Sequence, residues 1–543
     1  MACNYCRKRK RKCDGKQPIC SLCEEANHSE CEYRDLDASG RSTTAQVGDI
    51  LGRVKALEES FASLRDRFGD SNHAPLCAVT PAGASMGTPR GNDAALSTTA
   101  AFLPAGDQRA EDDGAAEFTP MLIPPSHSTT TSNLLRCGPV RDLLGDYPPD
   151  LFLHVESRRP LPPALRLGGG TTRLATFPSV SRAEADNLVR EYFDLVNQLH
   201  PMLDERDFWI SVYEPVMEMG FQGNASSALV LATLALGSAA SELPVQSNNS
   251  FRVGGDDDCW MPGVQYFSAA LPVLVDEALA SLGASLELTQ ALFLAALYYS
   301  YLARPLQAWR LVHMASTDVQ HYWNRYSPHH SKTGSASRHQ SILRLSWAIF
   351  VLECDIIAEH HLPRSGIEHV VEKLSFPSDG YNDSLQPAML RWLADLSARR
   401  LLNRIHYVLY DDAKNVANRD ATTESPGARR LQPSLHALSQ ELEHQLHSWF
   451  DLLPASIKPD IAPNQLPNPC IAEAITLLRY YATGDIIYRP FLLHVCSMSE
   501  GEIAPEYVVE NAKKCLYYCK GYIAAVEHAV QASTASLEIF LHS

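Results

Sequence analysis

The chain has 543 residues, 45% of them apolar and 20% charged, with a formal net charge of −16. That length exceeds the roughly 100–200 residues of an average domain, so more than one structural unit is expected. The acidic balance excludes a generally basic nucleic-acid-binding surface, and any cationic contact must be local. Of the 14 cysteines, six fall within residues 3–31 and the rest are scattered, which excludes a disulfide scaffold and suits a reducing compartment with one localised metal site.

The first element is the cysteine module itself. Cys3, Cys6, Cys13, Cys20, Cys23 and Cys31 are spaced C-x2-C-x6-C-x6-C-x2-C-x7-C. Two C-x2-C pairs, each followed by a lone cysteine, describe two similar half-sites. Six thiolates are too few for two separate tetrahedral zinc sites, which need eight ligands, but they suffice if two sulfurs are shared. A zinc knuckle built from Cys20, Cys23, His28 and Cys31 would orphan the first three cysteines. An all-cysteine set fits a closed structural site rather than a catalytic one, which keeps an open position and commonly uses His or carboxylate.

Between Cys6 and Cys13 runs an unbroken basic stretch, Arg7, Lys8, Arg9, Lys10, Arg11 and Lys12. Residues 1–35 hold eight Lys/Arg and six Asp/Glu, so with six thiolates and two zinc ions the loaded module is near neutral. The positive charge is therefore directional: it belongs to the first half-site, which is suited to a phosphate backbone, while the second half-site is acidic. The run also reads as a nuclear-import signal.

After a polar stretch, Val47, Ile50, Val54, Leu57, Phe61, Leu64 and Phe68 step by alternating threes and fours, the a and d positions of about three heptads. Arg53 at g and Glu58 at the following e form an attractive pair across a parallel dimer. Gly48 and Gly52 weaken the zipper, and a short helix docked on a globular core is the alternative reading. From 70 to 180 the composition shifts to Ala, Thr, Ser, Pro and Gly without periodicity, which predicts a disordered linker. Two patches in it, 111–123 and 141–155, mix acid with bulky apolar residues and read either as sticky linker or as docking motifs.

From Ser181 the pattern is helical. A stripe over 181–199 follows a Ser cap, and further helices are predicted at 226–240, 265–282, 288–304, 306–323, 340–360, 388–410, 433–452, 471–488 and 507–531. Helices separated by Pro, Gly and Asp turns, with no strand-like alternation, indicate an all-α domain over 181–543. The longest apolar stretches, near 228–240 and 288–303, fall short of the ~20 residues of a membrane span. No apolar leader precedes the cysteines, so the chain is expected to be soluble and intracellular.

The cysteine module resembles the fungal zinc binuclear cluster (Zn2Cys6) transcription factors, a likeness that includes Arg7, Lys12-Cys13-Asp14 and Pro18. The resemblance implies two zinc ions per chain, with Cys3 and Cys20 bridging, Cys6 and Cys13 completing one site, and Cys23 and Cys31 the other. It implies that Arg9 and Lys10 lead the reading of a CGG-type half-site in double-stranded DNA. It also implies a linker (36–46) and a coiled coil (47–69) that pairs two chains as a homodimer. Tyr192-Phe193, His200-Pro201, Phe208, Arg304-Pro305, Ala308-Trp309, Trp347, residues 362–367, Trp449, Leu453-Pro454 and residues 488–491 are similar to recurring segments of the regulatory domain found in that family.

The fold expected is thus a small Zn2Cys6 domain (1–35), a short coiled coil, a disordered linker and a large all-α regulatory domain. The function expected is nuclear, sequence-specific regulation of RNA polymerase II transcription, of a metabolic or secondary-metabolite pathway, with a small-molecule effector or co-regulator left open as a further partner. The alternative is a zinc-cluster protein that contacts protein or RNA. No enzyme motif is found: Gly168-Gly169-Gly170 lacks the rest of a P-loop, and no nucleophile elbow occurs. Glu353, Asp355, Glu359, His360 and His361 read as a polar helix end rather than a metal cluster. Cys515 and Cys519 read as core or partly exposed thiols.

Overall fold

The computed structural model describes residues 20–25, 123, 129–167, 177–242, 261–280, 285–326, 336–377, 387–410, 433–461, 471–499 and 501–532. The coiled coil expected at 47–69 and the linker at 36–46 lie outside them. Among the described residues every element is helical. A short helix, α1 (Ser21–Glu25), follows Cys20.

Part of the stretch expected as linker is helical: α2 (Thr131–Leu135), α3 (Gly138–Leu144), α4 (Leu151–Arg158) and a 3-10 turn at Pro163–Leu165. Linker structure over 70–180 therefore does not extend through 129–167. Composition hid this because the stretch is anchored by small residues and backbone carbonyls, not by an apolar stripe. Thr129, Thr130, Ser132 and Leu165 are buried, whereas Leu143, Leu144, Tyr147, Phe152 and Val155 of the acidic-apolar patch face solvent.

The main helical region opens at α5 (Arg182–Glu191), where the Ser181 hydroxyl accepts from the Glu184 N–H at 3.2 Å, a Ser-x-x-Glu start. The helix widens into a π turn over Tyr192–Val196 that buries Tyr192, Phe193 and Val196. Two short helices, α6 (Glu205–Phe208) and α7 (Glu214–Met219), flank a second π turn. Their few residues gave no legible periodicity.

There follow α8 (Ala225–Glu242), α9 (Val264–Ala280), α10 (Leu286–Tyr301), α11 (Pro305–Tyr326), α12 (Ala336–His360), the single-turn α13 (Glu368–Val371), α14 (Pro387–Leu409), α15 (Pro433–Asp451), α16 (Ile471–Cys496) and α17 (Glu506–Ala532). Each predicted helix from 226 onward is present, with ends shifted by at most four residues except at the end of α16. Every residue of α10 from Leu288 to Tyr301 is buried. A helix apolar on all sides belongs at the centre, and α10 packs against α8, α9 and α11. Helix α8 is equally central and lies so close to α5 that a Cβ at Gly237 would collide with the Leu188 carbonyl.

The C-terminal half is built on the hairpin of α16 and α17, with α14 and α15 packed on α16. Two glycines set the approach reciprocally: Gly484 of α16 receives the Tyr518 ring, and Gly521 of α17 receives the Tyr481 ring. Helix α16 runs eight residues past its predicted end because Pro490 does not stop it. Proline supplies no N–H to the carbonyl four residues back, that of Ile486. The Tyr410 hydroxyl at the end of α14 donates to that same carbonyl at 2.5 Å, so the gap is filled from a neighbouring helix.

A buried ionic cluster ties three helices. Asp355 of α12, with a fully buried side chain, accepts two bonds from Arg479 of α16 at 3.0 and 3.2 Å and pairs with Arg399 of α14. Arg479 also donates from Nε to Asp395 of α14 at 2.8 Å. Two carboxylates face two guanidiniums, so the core stays neutral. Burial, and then the neighbouring Arg479, push the Arg399 pKa well below its ordinary value.

Candidate metal centre

Cys20 and Cys23 are the part of the cysteine module within the described residues, and both are fully buried. The Cys23 N–H donates to the Cys20 carbonyl at 2.9 Å, the turn that opens α1. A C-x2-C turn of this kind brings two sulfurs to one side of the backbone, which is half of a tetrahedral thiolate set. Buried thiol side chains in a five-residue helix have no apolar core of their own to justify burial, and a structural metal is what such a segment folds around. The donor chemistry therefore fits zinc. Cys3, Cys6, Cys13 and Cys31, the basic run Arg7–Lys12 and the heptad residues Val47 to Phe68 lie outside the described residues.

Behind this module, the segments of the helical region quoted for the resemblance have definite structural roles. Three indoles are clasps: Trp309 Nε1 donates to the Pro363 carbonyl at 2.9 Å, Trp347 to the Ser375 carbonyl at 3.0 Å, and Trp449 to the Ser397 hydroxyl at 2.8 Å. Three arginines reach carbonyls of the chain preceding α5. Arg304 donates to Pro160 at 3.0 Å, Arg364 to Ile123, and Arg489 to Thr129 at 2.9 Å. The stretch before α5 is thus held to the domain at three separated points.

The anchor at Thr129 is polar throughout. Its hydroxyl meets His406 Nδ1 at 3.1 Å, and Glu359 Oε2 accepts from both the N–H and the hydroxyl of Thr131 at 3.3 Å. Burial works against the Arg489 charge, but the adjoining Asp485 carboxylate outweighs it, and the guanidinium pKa is raised. Burial raises the Glu359 carboxyl pKa.

The acidic and imidazole residues of 353–361 do not converge on one point. Glu353 accepts from the Ser365 N–H at 2.6 Å and faces His313, Asp355 belongs to the arginine cluster, and Glu359 holds Thr131. Rather than forming a polar helix end, Glu353 and Asp355 are buried structural groups. Cys515 is buried and Cys519 half-buried; what the sequence did not reveal is that both face one carboxylate, Asp485. No signal short of the α16–α17 pairing could have placed it there.

Residues 1–38 match the fungal Zn(2)-Cys(6) binuclear cluster domain, and residues 189–388 match the fungal specific transcription factor domain. These are the two domains of fungal zinc-cluster transcription factors, and the N-terminal one is of the kind that binds two zinc ions. Over 524 residues it is 23% identical to the transcriptional activator protein acu-15 of Neurospora crassa, covering 90% of this chain and 51% of that protein. It is 22% identical to an ABC-transporter-regulating transcription factor of Aspergillus fumigatus over 91% of this chain and 59% of that protein. A 25% match to the sorbicillinoid biosynthetic cluster transcription factor sor4 of Hypocrea jecorina covers 45% of this chain and 34% of that protein. The chain thus spans between about a third and three fifths of the length of these relatives. No solved structure matches it. Among the described residues no helix is long and apolar enough to cross a membrane.

Proposed function

We propose that the chain is a nuclear, sequence-specific regulator of RNA polymerase II transcription that binds CGG-type half-sites in duplex DNA as a homodimer. The observation that carries the proposal is the cysteine module, matched over 1–38, with the cationic run set inside its first half-site. In this reading Cys3, Cys6, Cys13, Cys20, Cys23 and Cys31 hold two zinc ions, with Cys3 and Cys20 shared. Arg7, Lys8, Arg11 and Lys12 neutralise phosphates. Arg9 and Lys10 reach guanine O6 and N7 in the major groove, the commonest specific pairing for these side chains. One module reads only a few base pairs, and the heptad from Val47 to Phe68 supplies the second module by pairing two chains. The helical region, with residues 129–165 bound to it, is the regulatory body, and its pathway is metabolic or secondary-metabolic.

The test is binding of the full chain to duplexes carrying paired CGG triplets and to scrambled duplexes of equal composition. The expected result is preferential binding to the CGG duplexes, lost on Lys10→Ala, with affinity falling steeply as salt rises because neutralised phosphates release counterions. Equal affinity for both duplexes, or a flat salt response, overturns DNA readout and leaves a protein- or RNA-contacting module. Replacing Val54 and Leu57 with Glu is expected to weaken paired-site binding more than single-site binding, and an equal effect on both removes the heptad as the dimer element.

A further inference from the structure

Asp485 on α16 and Cys515 and Cys519 on α17 converge at the centre of the helical hairpin, far in sequence from the N-terminal module. The Asp485 Oδ1 atom lies 3.2 Å from the Cys515 Sγ and 3.1 Å from the Cys519 Sγ, and the three donor atoms all fall within 4.8 Å of one another. Spacing of four residues puts both thiols on the same face of α17. The partner helix cannot drift, because the Gly484–Tyr518 and Gly521–Tyr481 contacts fix the separation on either side. We propose that these three side chains form a further cation site, selective for a soft divalent ion of the zinc and cadmium class.

Distance, charge and access support the site. Tetrahedral zinc with Zn–S of about 2.3 Å and Zn–O of about 2.1 Å places sulfur and oxygen about 3.6 Å apart. The present separations need to open by only about 0.4–0.5 Å to reach that value, within reach of side-chain adjustment. Two thiolates and a carboxylate suit a thiophilic ion, whereas hard cations such as Mg2+ and Ca2+ prefer all-oxygen sets. The charge also closes. With both thiols protonated, Asp485 and its partner Arg489 sum to zero. When Zn2+ enters, two S–H bonds ionise, two protons pass to the solvent and two Zn–S bonds form, so the total is again zero.

Arg489 does not block the ion. It occupies Asp485 Oδ2, leaving Oδ1 toward the sulfurs. Cys519 and Asp485 are not fully buried, so the cluster is not sealed inside the core. Because Arg489 also donates to the Thr129 carbonyl, the ion would sit one side chain away from the contact that holds residues 129–137 to the domain.

The test uses the full chain equilibrated with Zn2+ and dialysed against metal-free buffer, with zinc counted by mass spectrometry in the native protein and in Cys515→Ser/Cys519→Ser. Both carry the same N-terminal cysteines, so the difference between them is independent of how many ions that module holds. The expected difference is one ion per chain, and Asp485→Asn is expected to weaken the third ion at least 10-fold. Titration with Cd2+ should give the near-ultraviolet absorbance of two thiolate ligands above that of the double variant. A second measurement needs no variant: Zn2+ should slow alkylation of Cys519 by iodoacetamide in the native chain. Equal zinc content in native and double-variant chains of equal helicity, or an alkylation rate unchanged by Zn2+, overturns the site.

Discussion

Replacing Asp355 by leucine tests whether the helical region is held by its buried ionic cluster or merely tolerates it. Asp355 has a fully buried side chain, and its removal leaves Arg399 and Arg479, both buried, facing the single carboxylate of Asp395. One guanidinium is then uncompensated, and breaking a buried pair from one side costs about 3–5 kcal/mol. With a urea m-value of about 3 kcal/mol/M, the unfolding midpoint should fall by about 1–1.7 M. Adding Arg399→Met removes the surplus charge and leaves Asp395 and Arg479 as a complete pair. Since a buried ion pair exchanged whole for apolar residues is commonly neutral or stabilising, the double variant should regain more than half of the loss. The assay is urea unfolding of the full chain followed by far-ultraviolet circular dichroism. A single variant within about 0.3 M of the native midpoint, an order-of-magnitude threshold set by the same m-value, refutes the argument. So does a double variant no more stable than the single one.

Two other expectations follow from the same core. Tyr410→Phe leaves the Ile486 carbonyl without the hydroxyl that replaces the missing proline N–H, and should cost about 1–3 kcal/mol. Adding Pro490→Ala restores an intrahelical donor, so the second substitution should be stabilising in the Tyr410→Phe background and much less so alone. Equal effects of Pro490→Ala in both backgrounds would show that the hydroxyl is not the substitute. Burial, and then the charge of His361, push the His360 pKa down to about 4. Above pH 6.5 the imidazole is neutral in both folded and unfolded chains. Between 6.5 and 4 the unfolded chain takes up a proton that the folded one refuses, so stability falls with pH by about 1.4 kcal/mol per unit. His360→Gln should flatten that acid limb in urea midpoints measured from pH 7 to 4.5, and parallel curves for the two proteins would count against it.

Much of this protein was legible without coordinates. Cysteine spacing alone argued for two zinc ions sharing thiolates, because ligand number is a matter of counting. Helices from Ser181 onward could be read because apolar residues recur at helical spacing and because caps such as Ser181 with Glu184 announce themselves locally. The apolar stretch near 288–303 was legible as a helix too short for a membrane span, and its central position came only with the packing. What failed to show in the sequence was held by polar groups. The continuation of α16 past residue 488 was not legible, because the Tyr410 hydroxyl that serves the carbonyl left open by Pro490 lies 76 residues upstream of it.

Residues 129–167 looked like linker because their anchors are backbone carbonyls, which every residue carries and no composition reveals. Asp355 read as part of a polar helix end, and nothing in the sequence joined it to Arg399 and Arg479 until three helices brought them into one neutral cluster. The same holds for Asp485, Cys515 and Cys519: two thiols four residues apart are ordinary on a helix, and only a second helix, seated by glycine against tyrosine, turns them into a set of donors. Periodicity and ligand count are properties of the chain itself. Which polar groups meet is a property of how helices pack, and that was decided by tertiary structure alone.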